Sequence, residues 1–224
     1  MIRALFFLLA TTLAALSPAW AASPDLHILL THDTVNQRLD GVTESFHYQE
    51  RMTRVGDAVW LERVLPPGYS PDRQPSTAGD HGPNLQILPR WIRKAEDGAA
   101  TLTLVNRADR YVVAVKPIEF GRLGFGGNWI AESNLIDPMT INGMKPMTRA
   151  SSEPGARWFE AVYKGRYSRV LWSEKLQFPL AIETGTENGR STSRTAAQIK
   201  ELPKVLPWTD LNAYAEREID DFGD

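Results

Sequence analysis

The sequence predicts a mainly β (α+β) fold: a strongly curved antiparallel sheet, or half-barrel, with a short helical lid segment and a C-terminal helix. Three observations carry this reading. Gly-containing turn pairs at Asp40-Gly41, Gly56-Asp57, Asp97-Gly98, Lys164-Gly165 and Asn188-Gly189 each separate stretches rich in β-branched and aromatic residues, which is the strongest short-range hairpin signal. When the pairs are read as two-residue turns, opposite charges fall across from one another, as cross-strand pairing favours. The same registers gather apolar side chains on one side of the first strands, as a sheet with one buried face requires.

The chain opens with Met1-Ile2-Arg3, an apolar run from Ala4 to Leu16, and the small-x-small triplet Ala19-Trp20-Ala21. That is the pattern of a cleaved secretory signal peptide over 1–21. Thirteen residues fall short of the about 20 that a membrane-spanning helix needs. The mature protein, 22–224, is expected to be one exported, periplasmic domain that does not span the membrane.

Strands are predicted at 26–36, 43–55, 58–65, 89–95, 100–106, 110–117, 157–164, 166–174, 179–186 and 191–201. The turn at Gly56-Asp57 sets Arg51 opposite Glu62 and Glu50 opposite Arg63. Lys164-Gly165 sets Glu160 opposite Arg169 and Trp158 opposite Leu171; Asn188-Gly189 sets Glu187 opposite Arg190 and Glu183 opposite Arg194. Asp40-Gly41, taken the same way, sets Thr34 opposite His47. On these registers Leu29, Val35, Phe46, Tyr48, Met52, Val59, Leu61 and Leu65 share an apolar concave side. His32, His47, Gln49, Arg51, Glu62 and Trp60 share a wet one.

Two connections interrupt the meander. Residues 66–88 contain five prolines and read as an exposed loop. The second, an insertion over 119–156, holds "FGRLGFGGNWIAESNLIDPMTINGMKPM". Its glycines permit tight backbone turns, but no Lys-Ser/Thr follows them as in a phosphate-binding loop. Asn128 can cap a short helix carrying Trp129, Ile130 and Leu135, stopped by Asp137-Pro138. Flexible thioethers at Met139, Met144 and Met147 suit an adaptable apolar surface, so the segment is a lid over the concave face or a plug for the core. At the C-terminus Thr209 can cap a helix with Leu211, Tyr214, Glu218 and Phe222 on one face.

Composition narrows the function classes. Net charge is −2, and loss of Arg3 with the signal makes it more negative by one. Nucleic-acid binding rests on an excess of Lys and Arg, so none is expected. The chain has no cysteine, which removes disulfides, thiol catalysis and thiolate metal sites. No Gly-x-Ser-x-Gly elbow is present, and the paired carboxylates lie at loops and chain ends, so no enzyme and no cofactor are expected.

The order within "RVLWSEKLQFPLAIETGTENGRSTSRTAAQIKEL", 169–202, resembles the late hairpin of the outer-membrane lipoprotein carrier-like (LolA/LolB-like) superfamily. A strand ends near Trp172, Phe178-Pro179-Leu180 opens the next, and Asn188-Gly189 returns a last one. The meander through "YQERMTRVGDAVWLERVLP", 48–66, is compatible with it. The resemblance implies a curved half-barrel holding an apolar cavity closed by helical loops.

The expected function is therefore binding of an apolar small molecule, a lipid or lipoprotein segment, or an envelope protein on the concave face. Trp129, Leu135, Met139, Met144 and Met147 would form the lid, and Phe46, Tyr48 and Leu61 the floor. The alternative is a copper-binding or redox-partner protein using His32, His47, Met144 and Met147, because thioether and imidazole both suit copper.

Overall fold

A computed structural model describes residues 23–68, 85–151 and 153–222. The signal segment and most of the proline-rich loop lie outside the described residues. Strand-forming sequences between tight turns produce twelve strands: β1 Leu26–Gln37, β2 Thr43–Val55, β3 Ala58–Val64, β4 Arg90–Lys94, β5 Ala100–Asn106, β6 Tyr111–Val115, β7 Lys145–Pro146, β8 Ala156–Tyr163, β9 Arg166–Ser173, β10 Phe178–Thr186, β11 Ser191–Lys200 and β12 Ala215–Arg217. They form one open sheet in the order β12-β6-β5-β4-β3-β2-β1-β11-β10-β9-β8-β7. Every ladder is antiparallel except that of β12 with β6.

The charge-matched registers hold where the turns have two residues. Arg51 pairs with Glu62, Glu50 with Arg63, Glu160 with Arg169, Trp158 with Leu171, and Glu183 with Arg194. Glu187 and Arg190 fall in the turn beyond the ladder.

The first hairpin differs by one residue. Asp33, not Thr34, is opposite His47, and Thr34 is opposite Phe46. The turn is longer than a two-residue one: Arg38 N–H donates to Val42 O, Gly41 N–H to Arg38 O, and Gly41 takes φ 86°. Because side chains alternate, a slip of one exchanges the faces of a whole strand. Leu29 and Val35 therefore leave the inner face, and His32 joins it beside Tyr48. Leu65 lies just past the end of β3.

The inner face carries Leu26, Ile28 and Leu30 of β1, Met52 of β2, Val59 of β3, Ile92 of β4, Leu102 and Leu104 of β5, and Val113 of β6, all buried in one cluster. The insertion leaves the sheet after β6 and re-enters it at β7, on the opposite side of the strand order. It therefore runs as a strap across the inner face. Leu123, Phe125 and Trp129 of the strap join the β1–β6 cluster, while Ile141, with Ile136 and Met144, packs on Val170 and Trp172 of β9.

Curvature follows from two consecutive residues. Leu135 lines a cleft with Ile92 of β4, and the next residue, Ile136, packs into the cluster on β9. In the strand order β4 and β9 are six ladder steps apart, about 29 Å in a flat sheet at about 4.8 Å per step. Only a curled sheet brings both within reach of adjacent residues.

The outer face is not uniformly wet. Trp60 and Val105 are buried there with Leu211, flanked by Trp91, Val112, Trp208 and Tyr214. The C-terminal chain that covers them is not an α-helix but a 3-10 turn at Leu211–Ala213, strand β12, and a second 3-10 turn at Ile219–Phe222. Pairing with the exposed edge of β6 satisfies the segment's backbone better than a single isolated helical turn would, since helices this short are marginal alone.

One close approach inside the sheet makes a sharp prediction. Gly185 on β10 pairs with Thr192 of β11 and Tyr167 of β9. A Cβ there would meet Ser191 O at 2.6 Å and Tyr167 Oη at 2.7 Å. Gly185→Ala should lower stability by about 1–3 kcal/mol in urea unfolding, the range of overpacking changes. Gly143→Ala, where a Cβ would meet nothing within 4 Å, should stay within about 0.5 kcal/mol.

Candidate functional site

The strap is shaped by its own sequence before it meets the sheet. Pro117–Leu123 is a 3-10 turn ended by Gly124 at φ 62°, a left-handed conformation that glycine adopts freely. Gly127, at φ 72°, brings its backbone against Phe120, whose ring would lie 3.2 Å from an added Cβ. The glycines thus fold the loop on itself. Asn128 then caps α1, Trp129–Asn134, its side chain accepting from Ile130 and Ala131 N–H. Leu135 ends the helix at φ 62°, two residues before the expected Asp137-Pro138 stop. Asp137 instead caps the next 3-10 turn, Pro138–Gly143, accepting from Met139 N–H at 2.8 Å.

Six residues are too few for a helix to persist alone; its two ends are held from outside. At one end Trp129 is buried in the main core. At the other stands Arg54 of β2, 1% exposed, which shares the inner face with Met52. Its Nη1 donates to Ser133 O at 2.9 Å and to the Asn134 side-chain oxygen. Its Nε and Nη2 donate to Pro24 O at 3.2 and 3.0 Å, and Nη2 also to Leu176 O at 3.3 Å. Burial pulls the guanidinium down to about 10, with the Asp25 charge opposing, so it remains a cation at neutral pH. A cation against the C-terminal carbonyls also complements the helix dipole. Arg54 ties three chain segments together through α1.

Between α1 and the sheet remains a partly open cleft of about 180 Å³, lined by Met52, Val59, Leu61, Ile92, Ala131, Glu132 and Leu135. Six of these are apolar. Glu132 is the polar exception: burial raises its pKa, while the Gly126 N–H, which it accepts at 2.9 Å, and the Arg90 charge pull the other way.

The expected lid and floor residues divide. Leu61 and Leu135 line the cleft. Trp129 anchors the strap in the core rather than facing a cavity. Met144 packs on the β9 cluster between strap and sheet, whereas Met147 packs with Trp158 and Leu171, which alternate with Val170 and so lie on the outer face. Met139 is 52% exposed and lies outside the cleft lining. Phe46, 56% exposed, and Tyr48 lie farther along β2, outside the lining. Arg54 and Ala131 were missed. The signal for Arg54 was present, since alternation from Met52 along β2 puts it on the buried face.

The arrangement expected for copper does not form. His32 and His47 project to opposite faces, because the first register differs by one. His32 stacks on Tyr48 at 4.5 Å, with Nδ1 3.0 Å from Thr195 Oγ1 and Nε2 3.0 Å from Glu50 Oε2. His47 Nδ1 meets Asp33 at 2.7 Å. Met144 and Met147 pack in two apolar clusters with residues of β8 and β9, and the described residues hold no group of three His, Cys, Asp or Glu side chains placed for a metal. Among the described residues, no helix is long and apolar enough to cross a membrane.

No protein-family model and no curated protein sequence matches this chain. Similar solved structures include PNGF-II, at 12% identity and TM-score 0.39, over 88% of this chain and 32% of that one. The chain thus spans about a third of that protein's length. A LolA superfamily protein from Nitrosomonas europaea is similar at 8% identity and TM-score 0.34, over 81% of this chain and 88% of that one. A DUF1329 family protein from Desulfovibrio piger is similar at 8% identity and TM-score 0.36, over 84% and 90%. The LolA superfamily is the one that the motif order around 169–202 resembles, and the functional reading rests on the geometry of the chain itself.

Proposed function

We propose that this chain is an exported, periplasmic, non-enzymatic protein that binds an apolar ligand, a lipid-like chain or a lipoprotein segment on the inner face of its curled sheet. The observation that carries the reading is the cleft beneath α1, bounded by Met52, Val59, Leu61, Ile92, Ala131 and Leu135 with one carboxyl at its side. An apolar hollow with few polar groups is the usual form of a small-molecule site. Its about 180 Å³ is below the roughly 300–1,000 Å³ of sites that enclose a whole drug-sized ligand. The cleft therefore suits one end of an alkyl chain, and α1 has to shift to admit more. Burial of that chain supplies the affinity, at about 25 cal/mol per Å² of apolar surface removed from water.

The test is direct. Purified mature protein should enhance the fluorescence of N-phenyl-1-naphthylamine, a neutral apolar probe. Ala131→Trp, which places an indole in the cleft, should weaken that binding by about tenfold or more while leaving far-UV circular dichroism intact. Met139→Ser, outside the lining, should change nothing. Equal probe affinity in Ala131→Trp and wild type would remove the cleft as the site.

A further inference from the structure

The inner face changes character along the strands. Two positions beyond Met52 toward the first turn lies Glu50, and two beyond Leu61 lies Arg63. Leu30 is followed in the same way by His32. Each step is about 6.6–7 Å along a strand, so a polar shelf adjoins the apolar cleft on the same face.

On that shelf the charges do not pair as the register invites. Glu50 and Arg63 are cross-strand partners, yet Glu50 turns to His32 Nε2 at 3.0 Å. Arg63 turns to lie over the Tyr48 ring at 3.8 Å and makes no ion pair among the described residues. A guanidinium stacked on an aromatic ring keeps its in-plane N–H donors available. Arg90, directly across from Leu61, adds a second cation; its Nη2 donates to Leu123 O at 2.8 Å, a neutral acceptor. Of the carboxylates nearby, Glu50 lies 3.0 Å from His32 Nε2, and Glu132 accepts from the Gly126 N–H and feels the Arg90 charge. Arg63, with no ion pair among the described residues, and Arg90, beside Leu61, therefore put positive charge next to the apolar cleft on the same face.

We propose that the ligand is a monoanionic amphipath, a free long-chain carboxylate, with its tail beneath α1 and its head on Arg63. Arg63 presents a planar fork that a carboxylate meets with two parallel hydrogen bonds. Arg90 supports the head by charge alone, and Tyr48 holds the fork in place. The proposal rests on the apolar-cleft reading above and adds the chemistry of the head group.

The experiment compares dodecanoate with dodecanol as displacers of N-phenyl-1-naphthylamine, using the whole mature protein at pH 7.5. Wild type should prefer the acid by about tenfold or more, the scale of a hydrogen bond to a charged group, and the preference should shrink as salt is raised. Arg63→Gln should reduce the preference to about twofold or less while leaving dodecanol affinity unchanged; Arg63→Lys, which keeps the charge and loses the fork, should fall between. If wild type binds acid and alcohol alike, or Arg63→Gln keeps the preference, the head-group assignment is overturned and the apolar cleft stands. If neither ligand displaces the probe, both readings fall. Should Arg63→Gln not fold, the salt series on wild type decides: a preference indifferent to salt overturns the proposal.

Discussion

Arg54→Met is expected to lower the stability of the protein by about 3–5 kcal/mol and to loosen α1 from the sheet. The substitution leaves a side chain of similar reach in the same apolar surroundings, so lost packing is a minor part. What it removes is the donor set. Ser133 O, the Asn134 side-chain oxygen, Pro24 O and Leu176 O each lose a charged N–H. A buried acceptor left without a partner costs about 1–3 kcal/mol, and water reaching the edge at Pro24 would recover part of that. Replacing both members of a buried polar pair by apolar groups is often neutral; here three backbone carbonyls and the Asn134 amide oxygen stay behind.

Two measurements check it. Urea unfolding should give a lower midpoint, and hydrogen exchange should show amides of 129–135 losing protection more than those of β9 and β10. A loss under 1 kcal/mol with unchanged protection in α1 would mean that solvent replaces the guanidinium and that Trp129 alone holds the helix. Ligand binding depends on the same contact, since the cleft exists only while Ala131 and Leu135 stand over Met52 and Leu61.

How far the sequence reveals this site depends on which physical rule governs each part. Asn128 was legible because N-capping is a local bargain between one side chain and N–H groups two and three residues on, and it forms as expected. The strap's course was not legible. Nothing local says that a chain leaving β6 will cross the inner face to β7, because that depends on which strands close the far side. The methionines illustrate the difference. Their flexibility suits a mobile surface as well as filler, and the partners that decide for packing, Val170 and Trp172 at Met144 and Trp158 at Met147, come from strands that follow the strap.

The histidines show a second limit. Cross-strand charge pairs fixed the later hairpins; at Gly56-Asp57 a slip of one would have set Glu50 opposite Glu62 or Arg51 opposite Arg63. The first hairpin offered no such check near its turn, and Gly41 closes a longer loop than Asp-Gly alone suggests. One residue of slip then exchanged His32 and Leu29 between faces. The same alternation put Arg54 on the buried side in either register of that hairpin, because its own partner is set by the correctly read turn at Gly56-Asp57.

Trp60→Ala should cost about 3–5 kcal/mol, the range for emptying a buried aromatic site, although alternation alone assigns Trp60 to a solvent-facing side. In the structure its indole is 1% exposed. It packs with Val105 and Leu211, donates from Nε1 to Glu62 Oε2 at 2.9 Å, and carries the Arg107 guanidinium 4.9 Å from its ring centre. Its burial depends on residues that arrive about 150 positions later in the chain, Trp208, Leu211 and Tyr214, so the sheet's own pattern is blind to it. Leu211→Ala, from the covering side, should cost about 2–5 kcal/mol. Because the two side chains share one pocket, the double variant should lose less than the two single losses together, as contacting residues do. Full additivity in urea unfolding, or a Trp60→Ala loss below 1 kcal/mol, would mean that the C-terminal segment does not close over the outer face. The two faces of the sheet then divide the work: the C-terminus covers Trp60 on the outer one, and the inner one keeps its residual hollow under a strap held by Arg54 and by its own buried apolar side chains.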